Sequence, residues 1–235
     1  MNATPFSMAS VCALLLVGAS ALPACAQDAD LLVKHVAVSA GADGVKRTAE
    51  FAERMVRRQD QVWVERVVPA GWHTADDHGK ADKSHKHLDT AAAARWVTRG
   101  ADGTAAIRLA SREDKVIVDV AKAEFENVGF DGSWAGAYYL IDPAVLKRMK
   151  VTSTDGDLVT YNSTEANRQL KVVWNDKLKL PLLVESRSGA SSKRTTVEVA
   201  ALTKSLPWDG VKAYSRKDYS DYLDCGLSFT VKRLL

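Results

Sequence analysis

The chain has 235 residues, of which 46% are hydrophobic, 26% are charged and 7% are aromatic. This composition is typical of globular proteins, and it excludes a wholly disordered chain, a collagen-like repeat and a small disulfide-stabilised scaffold. The formal net charge of +3 is too small to indicate nucleic acid as a partner.

Residues 1–26 are predicted to be a secretory signal peptide. An uncharged apolar run extends from Val11 to Ala21, and it is shorter than the roughly 20 residues that a membrane-spanning helix needs. Ala24-Cys25-Ala26 fits the small-residue pattern before a signal-peptidase cut. Residues 27–235 are then expected to form a single β-rich periplasmic domain. In an alternative, Leu22-Pro23-Ala24-Cys25 is a lipobox, and lipidation of Cys25 makes the protein an outer-membrane lipoprotein. A membrane contact is expected only in that case.

The rest of the chain is predicted to form short strands separated by turns. Runs rich in β-branched and aromatic residues alternate with Gly, Asp and Pro signals, such as the tight turn at Asp102-Gly103. In chain order, strands are predicted at Leu31–Ser39, Lys46–Arg57, Val62–Val68, Ala94–Arg99, Thr104–Ala110, Val116–Ala121, Asp157–Tyr161, Gln169–Trp174, Leu182–Ser188, Thr195–Leu202 and Ser228–Arg233. For Lys46–Arg57 a helix is the alternative, because the spacing of Ala49, Ala52 and Val56 also fits one.

Two short helices are predicted beside these strands. Asp142 is a suitable N-cap and Pro143 a suitable first residue, and the basic residues that follow favour a helix end near Met149. A second helix is predicted over Asp218–Leu223, in a tail (207–225) that packs on the sheet as a strap. The predicted fold is mainly β: a strongly curved antiparallel sheet or half-open barrel with one or two short helices packed on it.

Four of the five histidines lie within fifteen residues, with aspartates between them. Neutral imidazole is a good ligand for zinc, copper or nickel, and carboxylates can complete the coordination shell. The loop is therefore a candidate site for a divalent metal, formed by His73, His78, His85 and His87. A solvated loop, or one that binds metal only weakly and adventitiously, explains the same composition. The fifth histidine, His35, is predicted to be a partly buried strand residue.

Aromatic residues are concentrated in the glycine-rich segment 130–139, which contains Trp134, Tyr138 and Tyr139. Most tryptophans and tyrosines in such a chain are expected to pack in the core. The alternative for these three rings is that they line a ligand site, and they are the candidate ligand-binding residues of the sequence.

One stretch resembles a known family. Residues 169–186 (QLKVVWNDKLKLPLLVES) have the pattern of a strand, a turn, a Leu-Pro pair and a returning strand. The pattern is similar to the outer-membrane lipoprotein carrier family and to periplasmic sensors of the RseB type. The resemblance implies a half-open antiparallel β-barrel whose helices cover an apolar cavity for lipid or acyl chains. It identifies no residue of this chain as a lipid ligand.

These observations favour an exported, non-catalytic periplasmic binding protein that holds an apolar ligand, such as a lipid or acyl chain, in a curved β-sheet. Other envelope proteins are possible partners. One alternative is a periplasmic protein that binds a divalent metal through the histidine loop. Another alternative is a metal-dependent hydrolase, in which three ligands leave a coordination position open for water.

Overall fold

The structure is a computed structural model, which describes residues 28–41, 44–68, 90, 92–165 and 167–223. The predicted signal peptide with Cys25, the four clustered histidines and the strand predicted at Ser228–Arg233 lie outside these described residues.

Within the described residues, twelve strands form one open, curved sheet, which confirms the predicted fold class. The strand order is β12-β6-β5-β4-β3-β2-β1-β11-β10-β9-β8-β7, and every neighbouring pair is antiparallel except β12 with β6. The strands are β1 (Ala29–Ala40), β2 (Lys46–Arg58), β3 (Gln61–Val67), β4 (Ala94–Arg99), β5 (Ala105–Ser111), β6 (Val116–Val120), β7 (Lys150–Asp155), β8 (Leu158–Glu165), β9 (Arg168–Asn175), β10 (Leu180–Ser188), β11 (Ser191–Ala200) and β12 (Ser215–Asp218).

Residues 121–149 form a crossover that covers one face of this sheet. We call the covered face the inner face. It starts after β6, next to one edge of the sheet, and ends at β7, which forms the other edge. The chain must therefore cross the sheet between these points. The buried side chains of Phe125, Phe130 and Tyr138 pack against the main core cluster of β1–β6. The crossover contains a 3₁₀ helix (Lys122–Val128) and the helices α1 (Trp134–Tyr139) and α2 (Pro143–Leu146).

Local signals define the short helices of the crossover. The 3₁₀ helix ends at Gly129, whose φ of 68° suits a residue without a Cβ. The hydroxyl of Ser133 accepts a hydrogen bond from the Gly136 amide at 2.9 Å and caps α1. Asp142 caps α2 by accepting from the Ala144 amide at 2.8 Å, and Pro143 is the first residue of that helix.

The tail packs on the sheet, as the sequence predicted, and its first part lies on the opposite, outer face. Trp208 and Val211 are buried against outer-face residues of β2–β6, among them Val56, Trp63 and Ile117. The tail then continues into β12 and α3 (Ser220–Leu223), and in this part Tyr219 is buried in the main core cluster with Tyr222 packed against it. This packing explains why β5 and β6 lack clear alternation: their two faces are both covered by apolar side chains.

Some elements differ from the sequence prediction. The helix that begins at Pro143 ends at Leu146 rather than near Met149. The 3₁₀ helix, α1, β7 and β12 were not predicted. Strand β7 is exposed along its whole length and has a polar sequence, so it carries no hydrophobic alternation that could indicate a strand.

Candidate functional site

Cross-strand register divides the inner face into rows, because directly opposed residues of neighbouring strands point to the same side. Along β1, the rows change from apolar to basic. Each row has a residue of β1 at its centre, flanked by one residue of β2 and one of β11. From the apolar to the basic side, the rows are Met55-Leu31-Val199, Glu53-Val33-Val197, Phe51-His35-Thr195 and Ala49-Ala37-Lys193, followed by Ser39 opposite Arg47 of β2. We call the rows of Leu31 and Val33 the apolar end, and the rows of Ala37 and Ser39 the basic end.

A cavity of about 630 Å³ lies at the apolar end, between the sheet and the crossover. Its volume lies in the range of about 300–1,000 Å³ that is usual for small-molecule sites. The sheet contributes inner-face side chains from β1–β5, and the crossover contributes residues between 129 and 145. The apolar lining residues include Val33, Met55, Val62, Val97, Ile107, Phe130, Ala137, Leu140 and Val145.

One charged cluster borders this cavity. Arg95 donates a hydrogen bond to Glu53 at 2.8 Å, and the Nε2 atom of His35 lies 3.2 Å from the other carboxylate oxygen. Burial by itself raises the pKa of Glu53, but the hydrogen bond to His35 and the charge of Arg95 outweigh it, so the pKa lies below its usual value. The carboxylate is thus ionised and paired, and it adds no uncompensated charge to the apolar lining.

His35 is a partly buried strand residue, as the sequence predicted. Its Nδ1 atom lies 3.0 Å from the Thr195 hydroxyl, and its ring stacks on Phe51 with centroids 4.7 Å apart. Both ring nitrogens are therefore engaged within the sheet, and the imidazole joins β1 to β2 and β11.

Arg57 fixes the crossover to the sheet at the apolar end. Its buried guanidinium donates to the carbonyl oxygens of Tyr138, Leu178 and Lys179 at 3.2, 2.6 and 3.3 Å. It also lies 4.9 Å from the centroid of the Tyr138 ring. This side chain therefore helps to hold α1 on the inner face of the sheet.

A second cavity, of about 410 Å³, lies on the other side of α2. It shares Leu140, Ile141 and Val145 with the first cavity, so these three residues separate two apolar spaces. Its far side is formed by Leu170 and Val184 of the sheet, and it ends at Arg168.

A third cavity, of about 450 Å³, lies at the basic end and shares Arg168 with the second. Serine hydroxyls and four cationic side chains line it: Arg47, Arg168, Arg187 and Lys193. The three cavities thus follow one another along the sheet, from an apolar interior under the crossover to a basic opening.

The three predicted ligand-binding aromatics all lie on α1. Tyr138 is buried, and its ring centroid lies 5.0 Å from that of Trp134 and 5.1 Å from that of Tyr139. Tyr139 lines a smaller pocket of about 370 Å³ with Trp174. The first cavity is instead lined by Gly136, Ala137 and Leu140 of the same segment. A ligand-binding role for the three rings stays a prediction.

Metal binding by His73, His78, His85 and His87 also stays a prediction, because these residues lie outside the described part of the chain. Among the residues that the structure describes, no three His, Cys, Asp or Glu side chains are grouped so that they could hold a metal ion. No helix within the described ranges has both the length and the apolar character needed to span a membrane.

Sequence reasoning missed Glu53, Arg95 and the cationic residues of the basic end. In each of these strands, alternation predicts an apolar or neutral side chain at the inner-face position that the charged residue occupies. A charge at such a position is the sequence signal that indicates a functional residue. Using this signal requires the register of each strand, which single-sequence patterns do not provide.

Comparisons with known proteins identify distant structural similarities. No protein-family model and no curated protein match the chain. The similar solved structures include PNGF-II, with 13% identity and a TM-score of 0.37 over 83% of this chain and 32% of that one. The chain thus spans about a third of the length of PNGF-II.

Two further structures bear on the predicted resemblance. One is a putative outer membrane lipoprotein-sorting protein domain from Vibrio parahaemolyticus (9% identity, TM-score 0.33, 78% of this chain and 89% of that one). The other is the Pseudomonas aeruginosa MucA/MucB complex (13% identity, TM-score 0.33, 80% and 56%). The similar structures thus include a lipoprotein-sorting domain and MucB, and to this extent they confirm the resemblance predicted from residues 169–186. At these identities and TM-scores, none of them indicates what this chain binds.

Proposed function

We propose that this protein is a non-catalytic binding protein of the periplasm that holds an apolar chain, such as the acyl chain of a lipid, between the sheet and the crossover. The observation that carries this proposal is the cavity of about 630 Å³ with its apolar lining from both layers. Its acidic lining side chains all have partners: Glu53 is paired with Arg95, and Asp131 and Asp142 accept hydrogen bonds from the amides of Ser133 and Ala144.

The hydrophobic effect gives such a site a plausible affinity. Each buried methylene contributes about 0.8 kcal/mol, so a chain of about ten methylenes contributes about 8 kcal/mol. Association costs an estimated 4–15 kcal/mol in lost translational and rotational freedom. The association cost therefore offsets at least half of this contribution, and an exchangeable ligand fits this balance better than a permanently bound one.

Blocking the cavity tests the proposal. Ala137 lines the cavity from α1, and an Ala137→Phe variant would place an aromatic ring in the space that the ligand needs. Ala144 is exposed on α2 and does not line the cavity, so Ala144→Phe is the matched control. We expect Ala137→Phe to weaken the binding of a fluorescent fatty-acid analogue at least about tenfold, a loss of about 1.4 kcal/mol, and the control to bind like the wild type.

Two results would contradict the proposal. The first is the absence of fluorescent-analogue binding by the wild-type protein. The second is equal binding by the wild type and Ala137→Phe, provided that both variants unfold at similar denaturant concentrations. Native mass spectrometry of gently purified protein gives an independent measurement, because a copurified lipid adds a defined mass.

Export is a separate part of the proposal and has its own test. If residues 1–26 are a signal peptide, N-terminal sequencing of protein from the periplasmic fraction should begin at Gln27. If Cys25 is lipidated, the N-terminus should carry diacylglycerol on that residue. Full-length protein in the cytosol would contradict both the cleaved and the lipidated form of the export proposal.

A further inference from the structure

Two inner-face cations at the basic end have no ionic partner among the residues that the structure describes. Arg168 and Lys193 form no ion pair or side-chain hydrogen bond in these ranges. Glu165 opposes Arg168 across β8 and β9 but does not pair with it. Elsewhere on the inner face, Arg95 is paired with Glu53. Arg66, also on the inner face, lies over the ring of Phe51. Positive charge at the basic end is therefore available to a ligand.

Hydroxyl groups lie beside these cations. Ser186 opposes Lys193 across β10 and β11, and Ser188 opposes Arg168 across β9 and β10. All four side chains are on the inner face and line the same cavity of about 450 Å³. Guanidinium and ammonium groups with adjacent hydroxyls provide the donors that a phosphate or carboxylate accepts from.

The basic end is within reach of a chain bound at the apolar end. Six residues of β1 separate Val33 from Ser39, which corresponds to about 20 Å at 3.3 Å per residue. The cavity beside α2 lies between the two ends, because it borders the apolar cavity at Val145 and the basic one at Arg168. An extended chain that passes the residues between the first two cavities can reach the basic end along the inner face.

We propose that the ligand is a single-chain anionic amphiphile, whose acyl chain occupies the apolar cavity and whose phosphate-type headgroup binds Lys193 and Arg168. The proposal rests on the proposed function and specifies its ligand. A bare acyl chain gives only marginal binding, on the order of 10⁴ M⁻¹ for a myristoyl chain in a membrane. A charge-assisted contact with the headgroup would supply both additional affinity and a fixed orientation.

A series of three probes separates the chain from the headgroup. 1-Dodecanoylglycerol 3-phosphate carries both parts, 1-dodecanoylglycerol carries only the chain, and glycerol 3-phosphate carries only the headgroup. Binding is measured by calorimetry below the micelle threshold of each probe. We expect the phosphorylated amphiphile to bind about tenfold more tightly than the neutral one, with a preference that weakens as salt concentration rises.

Two double variants locate the effect. Lys193→Gln/Arg168→Gln removes two inner-face cations from β11 and β9, and should bring the affinities for the two acylated probes to the same value. Lys171→Gln/Arg194→Gln removes two outer-face cations from the same strands, since these residues directly follow or precede inner-face positions. This control has the same net charge and should keep the tenfold preference.

The outcomes distinguish this proposal from the proposed function. If both acylated probes bind equally, or the control loses the preference as fully as the inner-face variant, the headgroup site is refuted and the apolar site stands. If glycerol 3-phosphate binds as tightly as the amphiphile, the basic end is a site for free anions and the proposal is overturned. If neither acylated probe binds, both proposals fail.

Discussion

The two halves of the sheet are packed differently. Strands β2–β6 are covered on the inner face by the crossover and on the outer face by the tail, and β6 is almost entirely buried. In the other half, β7 is exposed throughout, and the apolar contacts of β8 and β9 belong to a small cluster around Leu146, Val172 and Trp174. The half that is packed on two faces can anchor the fold and holds the apolar cavity under the crossover, while the half that is packed on one face lines the cavity beside α2.

The largest expected effect contrasts two inner-face leucines. Leu109 of β5 is buried, and Leu109→Ala should lower the free energy of unfolding by about 2–5 kcal/mol, because a cavity remains in a packed core. Leu170 of β9 is only half-buried, and the same substitution should cost about 1 kcal/mol. Urea denaturation measures both values, and equal losses would refute the difference between the halves.

A second variant tests the clamp that holds the crossover on the packed half. Arg57→Met keeps much of the side-chain length but removes the donors to three carbonyl oxygens, so the free energy of unfolding should fall by about 1–3 kcal/mol. Hydrogen exchange in α1 should become faster. Arg54→Met, on the same strand but half-exposed, is the control and should change stability by less than about 0.5 kcal/mol. Unchanged exchange in α1 would contradict a clamping role.

The ion pair at the border of the apolar cavity predicts acid sensitivity. The pKa of Glu53 is lower in the folded protein than its usual value of 4.5. Its stabilising contribution is therefore complete above about pH 4.5 and is lost as the pH falls through the lower, folded pKa. Asp30 and Asp119 shift in the same direction, from 3.8.

Denaturation at a series of pH values measures this effect. Unfolding free energy should decrease below about pH 4.5, and Glu53→Gln should make that decrease shallower. An identical pH dependence for the variant and the wild type would mean that the Glu53 contacts with His35 and Arg95 do not stabilise the fold.

The smallest expected effect is at the junction of the halves, where β1 meets β11. Lys34 and Glu198 form an ion pair at 2.5 Å across these strands, but both side chains are about half exposed. Lys34→Gln should therefore change the unfolding free energy by less than about 0.5 kcal/mol. A larger loss in urea denaturation would show that the junction depends on this pair rather than on the buried Leu31 and Val33.

Sequence patterns predicted most strands of the sheet because their signals are local. Val62–Val68 is rich in β-branched and aromatic residues, and the observed strand, Gln61–Val67, differs by one residue at each end. The cap at Asp142 likewise predicted where α2 begins. By contrast, α1 is six residues long with Gly136 at its centre, so its helical state depends on the Ser133 cap and on packing under Arg57.

From the sequence alone, the mainly β class, the positions of most strands and the packing of the tail as a strap could be derived, because alternation, turn residues and caps act within a few residues of the chain. The tertiary structure decided which edge of the sheet the crossover reaches, which side chains share the inner face, and that Glu53 and Arg95 meet there while Lys193 and Arg168 line one opening. These features depend on strand order and register, which are set by the burial of distant segments against one another.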